Sequence, residues 1–273
     1  MKNNKLKSLV KLLEDEDSQT VTQAMAELLS MDKKINSVIS VLQESSTGKI
    51  RKHAHQMQAV KKYRDKRTSF AAKLKNSDTD LLEGFAEIHM QWFDQDNMGE
   101  IYKNWGLFLS STSEWQPDSL KKIGKMMKEI GYKTPDAEDF FPENFCIGAI
   151  IDETIGADFM LCSIAKLAGE FHGFKGKIVN TPLGFGLCDS EGQMLFPSKD
   201  WMTCIVKNYS HFETWTNSMI LRHTASMIFL SAMTMQNFRY AYSVGKCLID
   251  SDNDDISKIL PYPFGEIENS KNP

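Results

Sequence analysis

The chain lacks the sequence features that mark secreted and membrane-spanning proteins. Its N-terminus, MKNNKLKSLVKLL, has no uncharged apolar core and no small-residue cleavage site, so we predict no signal peptide. The most apolar later stretch, Met227 to Met235, is too short and too polar to cross a bilayer. The five cysteines are an odd number, and no two of them have C-x-x-C spacing. These absences predict a cytoplasmic protein with reduced thiols and no membrane partner.

The sequence also lacks the short motifs that carry common catalytic and cofactor chemistry. It contains no glycine-rich phosphate loop, no H-E-x-x-H and no G-x-S-x-G. His53 and His55 stand two apart on a predicted helix, and so on different faces, which is wrong for metal chelation by one helix. We therefore predict no cofactor and no metal site. The net charge of -4 argues against a dedicated nucleic-acid binder.

What the first third of the chain does have is the spacing of short amphipathic helices. With 273 residues, 41% of them hydrophobic, the chain is long enough to bury a core in one large or two modest domains. Val21, Met25 and Leu28 recur at helical spacing after a predicted N-cap at Ser18, and a second apolar stripe runs from Ile35 to Leu42. Two such helices joined by a tight turn resemble the unit of HEAT-type solenoids.

A longer polar helix is predicted from Ile50 to Asn76. It carries many lysines and arginines against a single acid, Asp65. One interpretation is a patch that binds nucleic acid or an acidic partner. The scarcity of aromatic side chains favours the alternative, a solvated face or a face that pairs with the acidic C-terminal tail. The candidate binding residues are Lys61, Lys62, Arg64, Lys66 and Arg67.

Further helices are predicted on both sides of a short β region. The β region comprises a candidate strand at Lys177 to Asn180 and a β-hairpin formed by Gly184 to Cys188 and Gln193 to Phe196. The predicted helices span Asp78–Trp92, Met98–Phe108, Ser119–Ile130, Asn144–Thr154, Phe159–His172, Lys199–Lys207, Glu213–Met235 and Phe238–Ile249.

The segment from Asn144 to Lys199 shows an order of features found in one known family. A first helix leads to Gly156, and a longer helix, Phe159 to Phe171, is followed by a strand. This segment resembles the transglutaminase-like domain of the SirB-type family, in which the strand leads to a Pro-Gly-His-Phe turn and a hairpin ends near an Asp-Pro. Here those two places hold Thr181-Pro182-Leu183-Gly184-Phe185 and Leu195-Phe196-Pro197.

The resemblance, together with the helical pattern, predicts an α+β protein that is mostly α. A HEAT-like helical region is expected at 1–76 and a transglutaminase-like domain with a small antiparallel sheet at 77–208. A helical hairpin similar to the tetratricopeptide-like segment of the family follows at 209–250, and an acidic tail at 251–273.

The resemblance also implies which residues occupy the places of a catalytic triad. Transglutaminase-like catalysis needs a thiolate at a helix N-terminus, a histidine base on the facing strand and an acid that orients the histidine. In this chain the three positions hold Asp158, Gly184 and Phe196, none of which can form or activate a thiolate. Asp158 is instead predicted to be the N-cap of the helix that follows. We therefore expect no catalytic residue at these positions.

Two cysteines outside the triad positions, Cys162 and Cys188, are weaker candidates for a catalytic nucleophile. Cys162 lies about one helical turn beyond Asp158, where a core thiol is the expected role. Cys188 is placed on a predicted strand, and His172 at the end of the long helix, where a cation is favourable without any catalytic role. A cysteine-dependent hydrolase or acyltransferase would use Cys162 or Cys188 with His172.

The leading hypothesis from the sequence is a non-catalytic protein-interaction or scaffold protein that lacks a catalytic triad. Its partner is expected to be a protein of unknown identity. The alternatives are the cysteine-dependent enzyme just described, and binding of nucleic acid or an acidic partner through the basic helix at 49–75.

Overall fold

The computed structural model describes residues 2–31, 35–76, 79–136, 141–205 and 212–237, together with residues 241, 244, 245, 247 and 248. Side chains are described for all of these except residues 2–4, 63, 64, 66 and 67. The fold is mostly helical with a small antiparallel sheet, which confirms the predicted class. The chain divides into two compact units, Met1–Ser69 and Phe70–Pro273.

The first unit consists of helices. They are α1 (Lys2–Leu12), α2 (Ser18–Leu29), α3 (Ile35–Gln43) and α4 (Gly48–Lys75), the last of which continues into the second unit. The predicted apolar stripes form its core, in which Leu28 and Ile39 are buried beside Met57 of α4. The predicted N-cap at Ser18 is wrong, because the carboxylate of Asp17 accepts the backbone N–H groups of Gln19 and Thr20 and so caps α2.

The boundary between the units lies inside α4. The sequence predicted a boundary after residue 76, whereas the units meet at Ser69 and Phe70. Phe70 and Leu74 are 1% and 2% exposed and belong to the core of the second unit. The last turns of α4 therefore pack as part of the second unit.

The second unit contains helices and the sheet. Its helices are α5 (Leu81–Trp92), α6 (Met98–Thr112), α7 (Leu120–Ile130), a 3₁₀ turn (Pro142–Phe145), α8 (Ile147–Glu153), α9 (Asp158–Phe171) and α10 (Asn217–Thr234). Gly131 ends α7 at a φ of 98°, in the left-handed region that favours glycine at this position. Of the predicted helix Phe238–Ile249, residues 241, 244, 245, 247 and 248 are helical, and the rest lies outside the described residues, as does the acidic tail.

The sheet has the strand order β4-β3-β2-β1-β5 and is antiparallel throughout. The predicted strands are confirmed as β1 (Lys177–Thr181), β2 (Gly184–Cys188) and β3 (Gln193–Phe196). The two outer strands are β4 (Met202–Ile205) and β5 (Glu213–Trp215).

The outer strands correct two predicted helices. The helix predicted at Lys199–Lys207 is wrong, because a 3₁₀ turn ends at Lys199 and β4 follows it. The helix predicted from Glu213 begins only at Asn217, after Thr216 caps α10 through its hydroxyl. β4 pairs with β3, and β5 pairs with β1. The edges of β3 and β1 would otherwise expose unpaired backbone groups, and this pairing overrides the helical pattern of the two short segments.

The two faces of the sheet differ in what covers them. Ile178, Leu187 and Leu195 join the main core, which includes most of α9. On the opposite face Val179, Met194 and Phe196 form a separate buried cluster, with Cys188 packed at its margin. The alternation of side chains along β2 therefore places Cys188 on the face opposite α9.

Candidate functional site

The resemblance places its nucleophile position at Asp158, which is the first residue of α9. The predicted N-cap role is wrong, since the N-cap is Ala157, which has no side-chain hydrogen bond to offer. Instead Asp158 Oδ1 accepts the N–H of Phe159 at 2.8 Å, and Oδ2 accepts the N–H of Phe185 at 3.0 Å. The side chain thus joins the start of α9 to strand β2.

Burial governs the protonation of this carboxyl. Desolvation raises the pKa of Asp158, and the backbone hydrogen bonds from Phe185 and Phe159 oppose that rise only in part. An acid at the N-terminus of a helix would ordinarily be stabilised in its charged form by the helix dipole. Here the low-dielectric surroundings outweigh that effect.

Gly184, the position of the missing base, lies directly against Asp158. Its φ of 104° is in the left-handed region, and a Cβ built on it would stand 2.9 Å from Asp158 Oδ2 and 3.7 Å from Ser198 Oγ. The structure therefore brings together two of the three positions that the resemblance pairs. A side chain of any size at residue 184 would press on the carboxylate.

The third position, Phe196, belongs to the core on the opposite face of the sheet. Its side chain is 0% exposed and fills the space beside Gly186, where an added Cβ would meet the Phe196 ring at 2.9 Å. An aromatic side chain that packs there has no group with which to orient a base. Its role is apolar packing.

The alternative catalytic residues do not come together. Cys162 is 0% exposed, and burial raises the pKa of its thiol well above its ordinary value. His172 lies about 15 Å further along α9 from Cys162, and its Nε2 shares a 2.9 Å hydrogen bond with the hydroxyl of Thr112. In the described part of the chain, no hydrogen bond joins His172 to a cysteine.

Cys188 lies beside an open cavity of about 740 Å³ on the outer face of the sheet. Val179, Met194 and Phe212 give this cavity an apolar floor, and Lys177 and Glu191 stand at its rim. The thiol donates to the carbonyl of the adjacent Asp189 at 3.4 Å. Burial and the charge of Asp189 raise its pKa, which disfavours the nucleophilic thiolate.

His223 of α10 is a residue near Asp158 that the sequence did not single out. Its ring centroid lies 4.7 Å from that of Phe159, 5.0 Å from that of Trp215 and 5.8 Å from that of Phe185. Phe159 and Phe185 are also the residues whose backbone N–H groups bind Asp158. Packing of α10 brings this imidazole to the site, and no spacing between residues 158 and 223 could have indicated it.

The aromatic surroundings keep His223 neutral. Burial lowers its pKa to about 4. Its ring nitrogens have no hydrogen-bond partner among the residues that the structure describes. An imidazole in this state can accept a proton, but no thiol or hydroxyl of the described residues lies within a hydrogen bond of it.

A second polar cluster lies at the N-terminus of α8. His89 is 3% exposed, its Nδ1 accepts the N–H of Gly148 at 3.3 Å, and its Nε2 lies 2.8 Å from Asp96 Oδ2. Since Nδ1 accepts a hydrogen bond, Nε2 carries the proton and donates it to the carboxylate. His89 thus replaces the missing side-chain cap of α8, whose N-cap is Cys146.

Cys146 is fully buried beside this cluster. Desolvation is the main reason that the pKa of its thiol is raised well above its ordinary value, and the nearby carboxylates of Glu143 and Asp96 add to the effect. The arrangement of a cysteine at a helix start near a histidine and an aspartate therefore does not yield a thiolate.

The basic residues predicted on α4 are in part already paired. Lys61 forms an ion pair with Asp65 at 2.7 Å, and Lys73 forms one with Glu83 at 2.6 Å. Lys62 lines a groove of about 670 Å³ between α3 and α4. The side chains of Arg64, Lys66 and Arg67 lie outside the described residues.

In comparisons with known proteins, no family model, no curated protein and no solved structure matches the chain. Within the described ranges, no three histidine, cysteine, aspartate or glutamate side chains are grouped so that they could hold a metal ion. None of the helices described has the length and apolar character needed to span a bilayer.

Proposed function

We propose that this chain is a non-catalytic protein-interaction or scaffold protein of the cytoplasm, built on a degenerate transglutaminase-like fold. The observation that carries the proposal is the hydrogen bond from the Phe185 N–H to Asp158 Oδ2. Through this bond, the residue at the nucleophile position links helix α9 to strand β2.

The neighbours of Asp158 support a structural role for the whole site. A thiolate enzyme would need a sulfur at the start of α9 and an imidazole within hydrogen-bond reach of it. Here the carboxylate stands at that position, and Gly184 supplies no side chain. His223, which packs against Phe159, is enclosed by aromatic rings and held neutral.

The cysteine-dependent alternative has one observation in its favour, the open cavity beside Cys188. A substrate could reach this thiol, whereas Cys162 and Cys146 are each 0% exposed. The raised pKa of Cys188 weighs against a nucleophile, and so does the lack of a hydrogen bond from its thiol to an imidazole among the described residues.

Alkylation by iodoacetamide distinguishes the non-catalytic proposal from the cysteine-dependent enzyme. The folded protein is labelled over a range of pH, and mass spectrometry measures the labelling of each cysteine. We expect Cys188 to react no faster than the exposed Cys204, and Cys146 and Cys162 to be protected. Rapid labelling of Cys188 or Cys162 near pH 6, abolished by the His172→Ala substitution, would overturn the proposal. Cys204→Ser serves as the matched control, because it removes the reference thiol without touching the cavity.

A further inference from the structure

The first unit has an apolar groove between α1 and α3. It has a volume of about 410 Å³, and its walls are Leu6 and Val10 from α1 with Val38 and Val41 from α3. Val41 is 71% exposed, an unusual state for a β-branched side chain on a helix whose neighbours Ile39 and Leu42 are buried. Burial of such surface by a partner would stabilise the complex.

The α1 side of this groove carries positive charge. Helix α1 has the sequence KNNKLKSLVKL, which contains lysines and no acid, and α3 has the sequence INSVISVLQ, which contains no charge. Lys5 pairs with Glu27 of α2. Lys7 lines the groove, and neither it nor Lys11 forms an ion pair with any residue that the structure describes.

The other side of α3 has a second groove, which Lys61, Lys62 and Asp65 line. Lys61 is paired with Asp65, so Lys62 supplies the net positive charge of this groove among the residues that line it. Helix α3 is therefore an uncharged helix with lysines on both flanks. A partner in the α1–α3 groove would meet Leu6, Val10, Val38 and Val41 beneath it and the ammonium group of Lys7 at its edge.

We propose that the α1–α3 groove is a docking site for an acidic amphipathic helix of another protein. A groove between two helices accepts the apolar anchors of a third helix at i, i+3, i+4 and i+7, and glutamates on its flanks complement the lysines. The apolar floor favours a protein helix over nucleic acid, which requires contacts to phosphates along its length. The inference rests on the proposed interaction function and names its partner class.

Two synthetic fluorescent peptides of about four helical turns test the proposal. Both have leucines at the anchor positions; one has glutamates along its flanks and the other lysines. With the full-length protein at low salt, fluorescence anisotropy should show binding of the glutamate peptide at least about tenfold tighter than that of the lysine peptide, weakening as salt is added.

Substitutions locate the site. Val41→Glu should weaken binding of the glutamate peptide at least about tenfold, whereas Leu107→Glu should leave it unchanged, because Leu107 is 62% exposed on α6, a helix of the second unit. Lys7→Glu should reduce the preference for glutamate over lysine. Circular dichroism of each variant verifies that it is folded.

Several outcomes would overturn the docking site. They are equal binding of the two peptides, unchanged binding by Val41→Glu, and tighter binding of a labelled single-stranded RNA than of the glutamate peptide. In each case slow cysteine alkylation would leave the non-catalytic function standing. Rapid alkylation of Cys188 with peptide binding intact would remove that function and leave the groove.

Discussion

Helices α8 and α9 both lack a capping side chain at the N-cap position, but different side chains bind at the two helix starts. Neither N-cap residue, Cys146 or Ala157, makes a side-chain hydrogen bond to its helix. At α8 the missing cap is supplied by His89, a neutral ring from α5 that is itself anchored by Asp96. At α9 the carboxyl belongs to the helix itself and reaches outward to the N–H of Phe185.

The start of α8 is therefore tightly packed, whereas the start of α9 is a polar contact between a helix and a strand. The His89 ring fills the space above Gly148 so closely that an added Cβ would lie 2.6 Å from its Cε1 atom. Asp158 instead connects two elements, and His223 is packed against the residues that bind it. We expect the α8 start to respond to loss of packing, and the α9 junction to respond to pH.

The largest effect is expected at the α8 start. His89→Ala should lower the free energy of unfolding by about 3 kcal/mol, because it leaves a cavity and a buried N–H of Gly148 without an acceptor. Urea denaturation at pH 7 measures the loss. His172→Ala is the matched control, since it removes a less buried histidine with one hydrogen bond to Thr112 and should cost about 1 kcal/mol. Equal losses would show that His89 has no special capping role.

The next effect is a pH dependence that originates in His223. Its pKa of about 4 in the folded protein lies below the unfolded value of about 6.5, so the unfolded state binds the proton more tightly. The resulting stability is present above pH 6.5 and is lost as the pH falls through 4, by up to about 3 kcal/mol. Urea denaturation of the wild type and of His223→Phe should therefore diverge between pH 7 and pH 4. Parallel curves would contradict the assigned burial of the ring.

A third comparison isolates the contact between Gly184 and Asp158. Gly184→Ala should cost about 2 kcal/mol, in part because alanine is strained at a φ of 104° and in part because its Cβ would press on Asp158 Oδ2. Gly173→Ala is the control, because Gly173 has a φ of 90° and open space around its Cβ position, and we expect about 1 kcal/mol.

The same pair of alanine variants is then compared in an Asp158→Ala background. If the contact with the carboxylate accounts for the excess cost at residue 184, the two losses should become equal. Thermal or urea unfolding gives all four values. A persistent excess at residue 184 would place its cause in the backbone of β2.

The sequence predicted the parts of the fold that local patterns control. The two strands of the predicted hairpin are β2 and β3, and the predicted helix Ser119–Ile130 corresponds to α7. Strand β4 was assigned to a helix, because its pairing with β3 is not visible in the local pattern of Lys199 to Lys207.

The candidate site was only partly predictable for a similar reason. The resemblance paired Asp158 with Gly184, which do lie together, but its third position, Phe196, lies in the core cluster of the other face. His223 reaches the site only through the packing of α10, and His89 reaches Gly148 only through the packing of α5 on α8. Contacts between distant segments of this kind leave no periodic signal in the sequence.

The smallest effect on stability concerns the charge of Asp158. It also distinguishes the start of α9 most clearly from the start of α8. Burial raises the pKa of this carboxyl in the folded protein above its unfolded value of about 3.9. The stability that it contributes is therefore present below that value and is lost as the pH rises through the folded pKa. Asp158→Asn removes this titration, so the advantage of the wild type over the variant should shrink between pH 4 and pH 7.

Urea unfolding of the wild type and of Asp158→Asn at those two pH values measures the change. Asp65→Asn is the control, because it removes an exposed carboxylate that is paired with Lys61 on the surface. An advantage of the wild type that instead grows toward pH 7 would mean that the N–H groups of Phe159 and Phe185 outweigh burial. The start of α9 would then be an anion-stabilising site, the electrostatic environment that a thiolate at the same position requires.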